Sequence, residues 1–511
     1  MDPKYLICVL VILKCGESAR ILAIFQVPSF SHQCVFQPIW KELALRGHEL
    51  VVVTSHPLKD PTIKNLTEID ISYTKDIFLR HGFQYAMSKS KPTTDKIQFI
   101  FKLNYELSEA VFEDAEFRKI YENPDEKFDL VMVQMFINPI FLSLGARFKA
   151  PVVGVSSMGA YIGTHFAIGN PHHPALYSDM FLPYHGKLSF MERWYSTFYY
   201  LWVRAYLHFS AIPRCDQIAR KYLGSDIPSL DDLHKNLSLL FLNTNPILYE
   251  PRANIPTIIE ISQLHIKPTK TLPQDLQDEL DKAKKGVIYF SLGSNIQSVN
   301  IPVRFRNVLI ETFAELPYTI LWKWESDHLP NKPKNVITRK WLSQQDVLAH
   351  PNIKAFITQC GLQSLEESFR AGVPIVGVPF IGDQEMNIKR LSAYGVGVGV
   401  DYLTVTKEEL KAAILEVAEN DKYRKKSRML NELLNDHPQT SLERVVWWTE
   451  YVIRHNGTTH LRSPTVDISW FHFLLLDVVG VTLTIVVVIV YVIVCIIRLL
   501  FCMKTKKFKH N

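Results

Sequence analysis

Short, continuously apolar runs alternate along this chain with polar breaks and with stretches whose apolar residues recur every three or four positions. The first run is RILAIFQV, Arg20–Val27. An unbroken apolar run of that length suits a strand covered on both faces. The polar break PSFSHQ follows, and from Val35 to Arg46 the spacing becomes helical until Gly47 ends it. LVVVTS (Leu50–Ser55), FDLVMV (Phe128–Val133) and PVVGVSS (Pro151–Ser157) are further buried strands, the last two with a helix between them. Strand, loop, helix, strand is the opening of a doubly wound α/β unit. Residues 160–235 are aromatic-rich and irregular. They read either as the cover of a pocket for an apolar molecule or as a helical insertion packed on the first half.

The alternation restarts at Gly286. GVIYFSLGSN is a strand running into a glycine loop, with a helix through Glu315. YTILWKW, NVITRKW, IKAFIT and VPIVGVP are strands, a helix runs from Ser364 to Phe369, and GVGVGV (Gly395–Val400) continues the series. Between the halves, 244–285 carries Pro246, Pro251 and Pro268 and reads as linker. The expected fold is α/β: two doubly wound, Rossmann-like domains, 19–243 and 286–455, facing a cleft. Such sheets bind ligands beyond the carboxyl ends of their strands. The loops to inspect are therefore 28–34, 134–138, 291–295, 341–345, 358–364 and 379–387.

The two ends differ from this body. Lys4, the apolar stretch Tyr5–Leu13 and the small residues Gly16 and Ser18 read as a cleaved secretory signal over 1–18. Val478 to Ile497 is apolar or small apart from two threonines and a tyrosine. About twenty residues at about 1.5 Å each span about 30 Å, enough to cross a bilayer. A transmembrane helix over 475–498 is expected, preceded by a juxtamembrane stretch, 456–474. Arg498, Lys504, Lys506, Lys507 and Lys509 follow with no acid among them, which places the tail, 499–511, in the cytosol and the body across the membrane. Lys507 and Lys509 also match a retrieval signal for the endoplasmic reticulum.

These tail charges supply most of the net +6, so the rest of the chain is nearly neutral. That excludes the basic footprint nucleic-acid binding needs. Sequons at Asn65, Asn236 and Asn456 fall on the expected lumenal side. Of seven cysteines only Cys34, Cys215 and Cys360 lie in the lumenal body, too few for a disulfide framework and without zinc-ligand spacing.

The chemistry concentrates between Trp341 and Gln384. Trp341 offers a flat face for a base, and Gln344 an amide to read a polar edge. AFITQCG followed by LQSLEES is strand, tight turn and helix start, where free backbone N–H groups and the helix dipole favour a diphosphate. Gln359, Gly361 and Ser364 belong to that turn, and Ser294 adds a hydroxyl from the preceding glycine loop. Glu367 is placed to accept from ribose hydroxyls, and Asp383 with Gln384 to hold two vicinal sugar hydroxyls.

In spacing and order this segment resembles the signature of the UDP-glycosyltransferases, the membrane-bound UDP-glucuronosyl- and UDP-glucosyltransferases. The signal, PSFSHQ, FSLGSN, the C-terminal span and the lysine tail fall where that family has them, and the chain looks most like arthropod members. The resemblance implies a GT-B fold with the acceptor domain first. It implies Trp341 stacked on uracil, Gln344 on the nucleoside, Ser294 with 359–364 on the diphosphate, Glu367 on ribose, and Asp383 and Gln384 on the sugar. Where many members have His-Gly-Gly, this chain has Gln359-Cys360-Gly361. Gln359 can donate an N–H but carries no charge, and Cys360 sets a side chain where the backbone should approach phosphate.

In the acceptor half, His32 reads by itself as a polar cap or surface residue. The resemblance makes it the catalytic base, a task that suits an imidazole with an ordinary pKa near about 6.5. The family's partner aspartate is replaced by Gln134, which can orient the ring but cannot offset a positive charge. His32 then acts alone on acidic acceptors, or another carboxylate substitutes, or turnover is poor. The expected activity is inverting, metal-independent and without a cofactor: transfer of a hexose, glucose foremost, from a UDP-sugar to a small lipophilic acceptor such as a phenol or steroid, in the endoplasmic reticulum membrane. A non-catalytic binder of lipophilic ligands and a transferase acting on a ceramide-type lipid are the alternatives. A homo-oligomer is compatible with this reading.

Overall fold

The computed structural model describes residues 18–81, 91–249 and 251–507. The expected signal sequence and the end of the lysine tail lie outside these. The chain forms two compact units, Met1–Arg462 and Ser463–Asn511.

The first unit holds two parallel sheets. In chain order the first contains β1 (Arg20–Phe25), β2 (Glu49–Thr54), β3 (Leu66–Asp70), β4 (Leu130–Gln134), β5 (Val152–Ser156), β6 (Leu239–Leu242) and β7 (Ile258–Glu260). The second contains β8 (Val287–Ser291), β9 (Thr319–Lys323), β10 (Val336–Arg339), β11 (Ile353–Thr358), β12 (Ile375–Gly377) and β13 (Gly397–Gly399). Their orders are β3-β2-β1-β4-β5-β6-β7 and β10-β9-β8-β11-β12-β13. Each order reverses once, between β1 and β4 and between β8 and β11, and ligands lodge at such switch points. Alternate residues feed opposite faces. Leu22, Ile24, Val131 and Val133 join one apolar cluster, while Ile21, Ala23, Phe25 and Met132 join another. Both faces are covered, so the strands read as continuous apolar runs.

The helices that bear on the site are α1 (Phe30–Leu45), α2 (Thr93–Phe112), α3 (Phe190–Tyr206), α4 (Gln274–Asp281), α5 (Gln344–Leu348), α6 (Leu362–Arg370), α7 (Gln384–Tyr394) and α8 (Ser441–Arg454). The boundaries between the halves differ from the expected ones. The segment 244–285 contains β7, which pairs with β6 in the first sheet, and α4, whose Leu276 and Leu280 pack under the second. After the second sheet the chain returns, and Val445, Val446 and Val452 of α8 sit in the core of the first half beside Phe36 and Trp40. In 160–235, Met180 and Phe181 line the cleft while Tyr199 and Val203 of α3 pack with α2.

Asn65 is half-buried, and its side-chain N–H groups go to the carbonyls of Ala44 (2.8 Å) and His48 (2.6 Å), so a glycan on Nδ2 would displace one of these two bonds. Asn236 and Asn456 are exposed. Cys34, Cys215 and Cys360 are free thiols. In the second unit, α9 (Leu476–Lys507) runs past the expected 475–498 into the basic tail. Its stretch Leu476–Phe501 is long and apolar enough to cross a membrane, with a mean hydropathy of 3.1.

Candidate active site

The loops after β1 and β4 meet at the first switch point. His32 lies in the first turn of α1, which starts at Phe30 within the stretch expected to be loop. The polar Ser-His-Gln sequence hid that turn. Gln33 is fully buried: its amide donates to the carbonyls of Phe25 (2.9 Å) and Val27 (2.8 Å) and accepts from Thr54 Oγ1 (2.8 Å). A polar residue thus ties β1, β2 and α1 together.

Gln134 ends β4 behind the His32 ring. Its Nε2 lies 3.0 Å from His32 Nδ1, and its Oε1 accepts the N–H of Val27 at 3.0 Å. Phe136 meets the ring edge-on at 5.6 Å. Burial lowers the His32 pKa to about 4, and no charged neighbour contributes. The imidazole is therefore neutral at physiological pH, and among the described residues no substitute carboxylate stands beside it.

The donor half meets it across the cleft. Ser29 Oγ donates to Asn295 Oδ1 (3.0 Å), and Gln363 Nε2 to the carbonyl of Ser157 (2.9 Å), bridging the halves. Ser294 lies in the loop after β8, and Gln359 to Gly361 form the turn between β11 and α6, the second switch point. Gln359 Oε1 accepts from Thr358 Oγ1 (2.7 Å). That turns its Nε2 toward Gly293, where a Cβ would stand only 2.2 Å away, and Gly361, where it would stand 3.0 Å away. The glycines make room for an amide donor at the turn that opens α6.

Cys360 departs from expectation. At φ 66° it takes a left-handed conformation, and its thiol is fully buried against Gly377 of β12, away from the cleft. The side chain does not enter the cleft; the unusual backbone turns it aside. Asn387 holds this turn by donating to the Cys360 carbonyl (3.0 Å) and to Asp383 Oδ2 (2.8 Å).

Trp341 is 59% exposed, with Phe30 edge-on at 5.5 Å and Lys323 Nζ 5.5 Å from the ring centre. Gln344 donates to Ser364 Oγ (3.0 Å) and Glu367 Oε2 (2.6 Å) and accepts from the Tyr289 hydroxyl (3.2 Å). Its hydrogen bonds are thus made to protein groups. Burial raises Glu367 to about 7 against the amides of Gln344 and Gln345, which lower it. Gln384 Oε1 accepts the N–H groups of Phe380 (2.8 Å) and Ile381 (2.9 Å), so its Nε2 is the end left for a ligand.

His32 and the donor-side residues Ser294, Trp341, Gln344, Gln359, Gly361, Ser364, Glu367, Asp383 and Gln384 all line one cavity of about 410 Å³. That lies within the range of small-molecule sites. Ile100, Phe136, Met158, Met180 and Phe181 make its acceptor-side wall apolar. Gln134 does not line the cavity and stands behind the wall against His32.

Three groups escaped the sequence reading. His265 lies in the supposed linker, 3.5 Å from Glu366 and 3.5 Å from Glu367. Glu366 is buried between the halves and pushed up to about 8 by that burial. Lys267 lines the cavity, and its backbone N–H donates to Gln345 Oε1 (2.9 Å). No local motif marks any of them.

Two facing parallel sheets with a ligand cleft at their switch points define the GT-B glycosyltransferases. In fold the chain matches CalG4, the calicheamicin glycosyltransferase, at TM-score 0.55 and 18% identity, covering 86% of this chain and 99% of that one. It matches TcCGT1 solved in complex with UDP at TM-score 0.56 and 16% identity, over 86% of this chain and 100% of that one. The profile of the UDP-glucoronosyl and UDP-glucosyl transferase family matches residues 20–510, and the chain belongs to that family. It is 33% identical to UDP-glucosyltransferase 2 of Dactylopius coccus, over 94% of this chain and 93% of the relative. It is 32% identical to the ecdysteroid UDP-glucosyltransferase of Spodoptera littoralis nuclear polyhedrosis virus, over 94% and 96%. The chain is a UDP-glycosyltransferase.

Proposed function

We propose that this enzyme transfers a neutral hexose, glucose foremost, from a UDP-sugar to the hydroxyl of a small lipophilic acceptor, with inversion and without a metal. The carrying observation is the single cavity in which every expected donor-side residue faces His32 and an apolar wall. The uridine lies at Trp341 and Glu367, and the diphosphate at the start of α6, where first-turn N–H groups lack intrahelical partners. The sugar lies at Asp383 and Gln384. A uronate there would meet the Asp383 carboxylate, which favours a neutral sugar. The relatives named for glucosyl transfer support glucose, and the ecdysteroid enzyme supports a lipophilic acceptor. The acceptor hydroxyl lies at His32, in line with the anomeric carbon. The apolar helix anchors the enzyme in the endoplasmic reticulum membrane, consistent with Lys507 and Lys509 in the tail.

The test offers microsomes carrying the full chain UDP-glucose, UDP-glucuronate and UDP-galactose with a panel of phenols and steroids, with and without a chelator. Glucosides are expected, unaffected by chelation. His32→Ala is expected to abolish transfer to a phenol while UDP binding survives. No product with any pair, despite measurable UDP binding, would leave a non-catalytic binder as the better reading.

A further inference from the structure

The two hydrogen bonds of Gln134 dictate what His32 can do. A carboxamide is a donor at one end and an acceptor at the other. The Val27 backbone N–H can only donate, and it lies 3.0 Å from Gln134 Oε1. That contact fixes the amide, so the end facing His32 is the NH2 group, 3.0 Å from Nδ1. Nδ1 must therefore accept, which makes it the unprotonated nitrogen and puts the ring proton on Nε2. Turning the amide over would set two donors against each other at Val27 and orphan a buried N–H.

Among the described residues nothing hydrogen-bonds Nε2, and the ring lines the cavity. The only protein contact that decides the tautomer is therefore Gln134. The same amide opposes the imidazolium, because a protonated Nδ1 would meet the NH2 group. A small pocket that His32 also lines is walled by Val27, Ile100, Asn104, Phe136 and Asn295, none of which titrates. Cys34, within the same turn of α1, is held neutral by burial, with its pKa pushed up to about 12. Glu367 and Asp383 lie on the donor side of the cavity, and neither acts on the ring.

We propose that Gln134 and the Val27 amide lock His32 as the Nε2–H tautomer, so that it donates a hydrogen bond to an acceptor oxyanion instead of removing a proton. This rests on the transferase reading above and sharpens its substrate class: acceptors whose hydroxyl ionises near neutral pH, phenols and enols rather than steroid or other aliphatic alcohols. The acceptor gives its proton to solvent before transfer. Its oxyanion forms the bond to the anomeric carbon as the bond from that carbon to the diphosphate oxygen breaks. UDP leaves with the electron pair, and no proton passes through His32.

Two measurements on the full chain in detergent test this. The first is 15N NMR of histidine-labelled enzyme at pH 7, with the His32 signals assigned by their loss in His32→Ala. An unprotonated Nδ1 and a protonated Nε2 are expected in the wild type, and the reverse in Gln134→Glu, whose carboxylate can accept from both Val27 and Nδ1–H. The second is kcat/KM across acceptors of graded acidity. Wild-type values should fall about tenfold per unit as the acceptor pKa rises above the assay pH. Gln134→Glu should raise transfer to cyclohexanol relative to 4-nitrophenol by tenfold or more. A protonated Nδ1 in the wild type, or a cyclohexanol rate within tenfold of the 4-nitrophenol rate, would overturn the proposal. Absence of transfer to any acceptor would count against the transferase reading instead, and the NMR would still decide the tautomer.

Discussion

Cys360 shows at the scale of one residue what a sequence carries and what it hides. The turn between β11 and α6 was legible from its order of strand, small residue and helix. The direction of the Cys360 side chain was not, because a positive φ is normally signalled by glycine. At φ 66° the thiol packs into the core and leaves the cleft to the backbone. Cys360→Gly removes the left-handed strain, of about 1 kcal/mol, and loses a small buried group, so the two changes oppose each other. UDP affinity by calorimetry should stay within about twofold of wild type. A tenfold loss would mean that the thiol does reach the donor. Gln134 is the opposite case: its place was legible from the FDLVMV run that it follows, but its consequence was not. Only the partner of its far end, Val27, tells which face of the amide His32 sees.

The elements were legible in proportion to how fully they are buried. Parallel strands such as β4 and β8, buried at every residue, announce themselves as apolar runs. β7 is three residues long within a proline-rich stretch and was lost in the linker. The docking of α8 on the first half was equally hidden, since its amphipathic pattern says that a face is buried but not against which domain. Its start is a capping box, in which Thr440 Oγ1 accepts the Glu443 N–H at 3.2 Å and Glu443 answers to the Thr440 N–H at 2.8 Å. Thr440→Ala should cost about 1 kcal/mol. Val446→Asp, which places a carboxylate in the core of β1 and α1, should cost several times more and lower expression sharply. Thermal unfolding of the two variants checks the ranking; equal losses would mean that α8 is only loosely attached.

At the scale of the whole molecule, the junction between the halves is set with a buried acid. Glu366 of α6 accepts the Gln263 N–H at 3.2 Å and faces Asn243, at the end of β6, at 3.5 Å. His265 Nδ1 lies 3.5 Å from it. Burial holds Glu366 protonated, with its pKa raised from 4.5 to about 8. In the unfolded chain it ionises near 4.5, so from there to about 8 the folded state holds a proton that the unfolded state has released. Stability therefore falls as pH rises through that window. The buried histidines have the opposite sign. His32, His234 and His265 are lowered to about 4 by burial, so they favour folding increasingly as pH rises from 4 to 6.5 and add no further slope above it. Between pH 6.5 and 8 the carboxyl effect is left: Glu367, raised to about 7, adds to it only at the lower end, and Glu366, raised to about 8, carries it to the top, where a full proton difference over the interval amounts to about 2 kcal/mol. Wild-type melting temperature should decline from pH 6.5 to 8, and Glu366→Gln, which keeps a neutral group of the same shape, should flatten the decline. If the variant melts with the same pH slope as the wild type, the proton is not on Glu366, and the two halves meet across an ionised carboxylate instead.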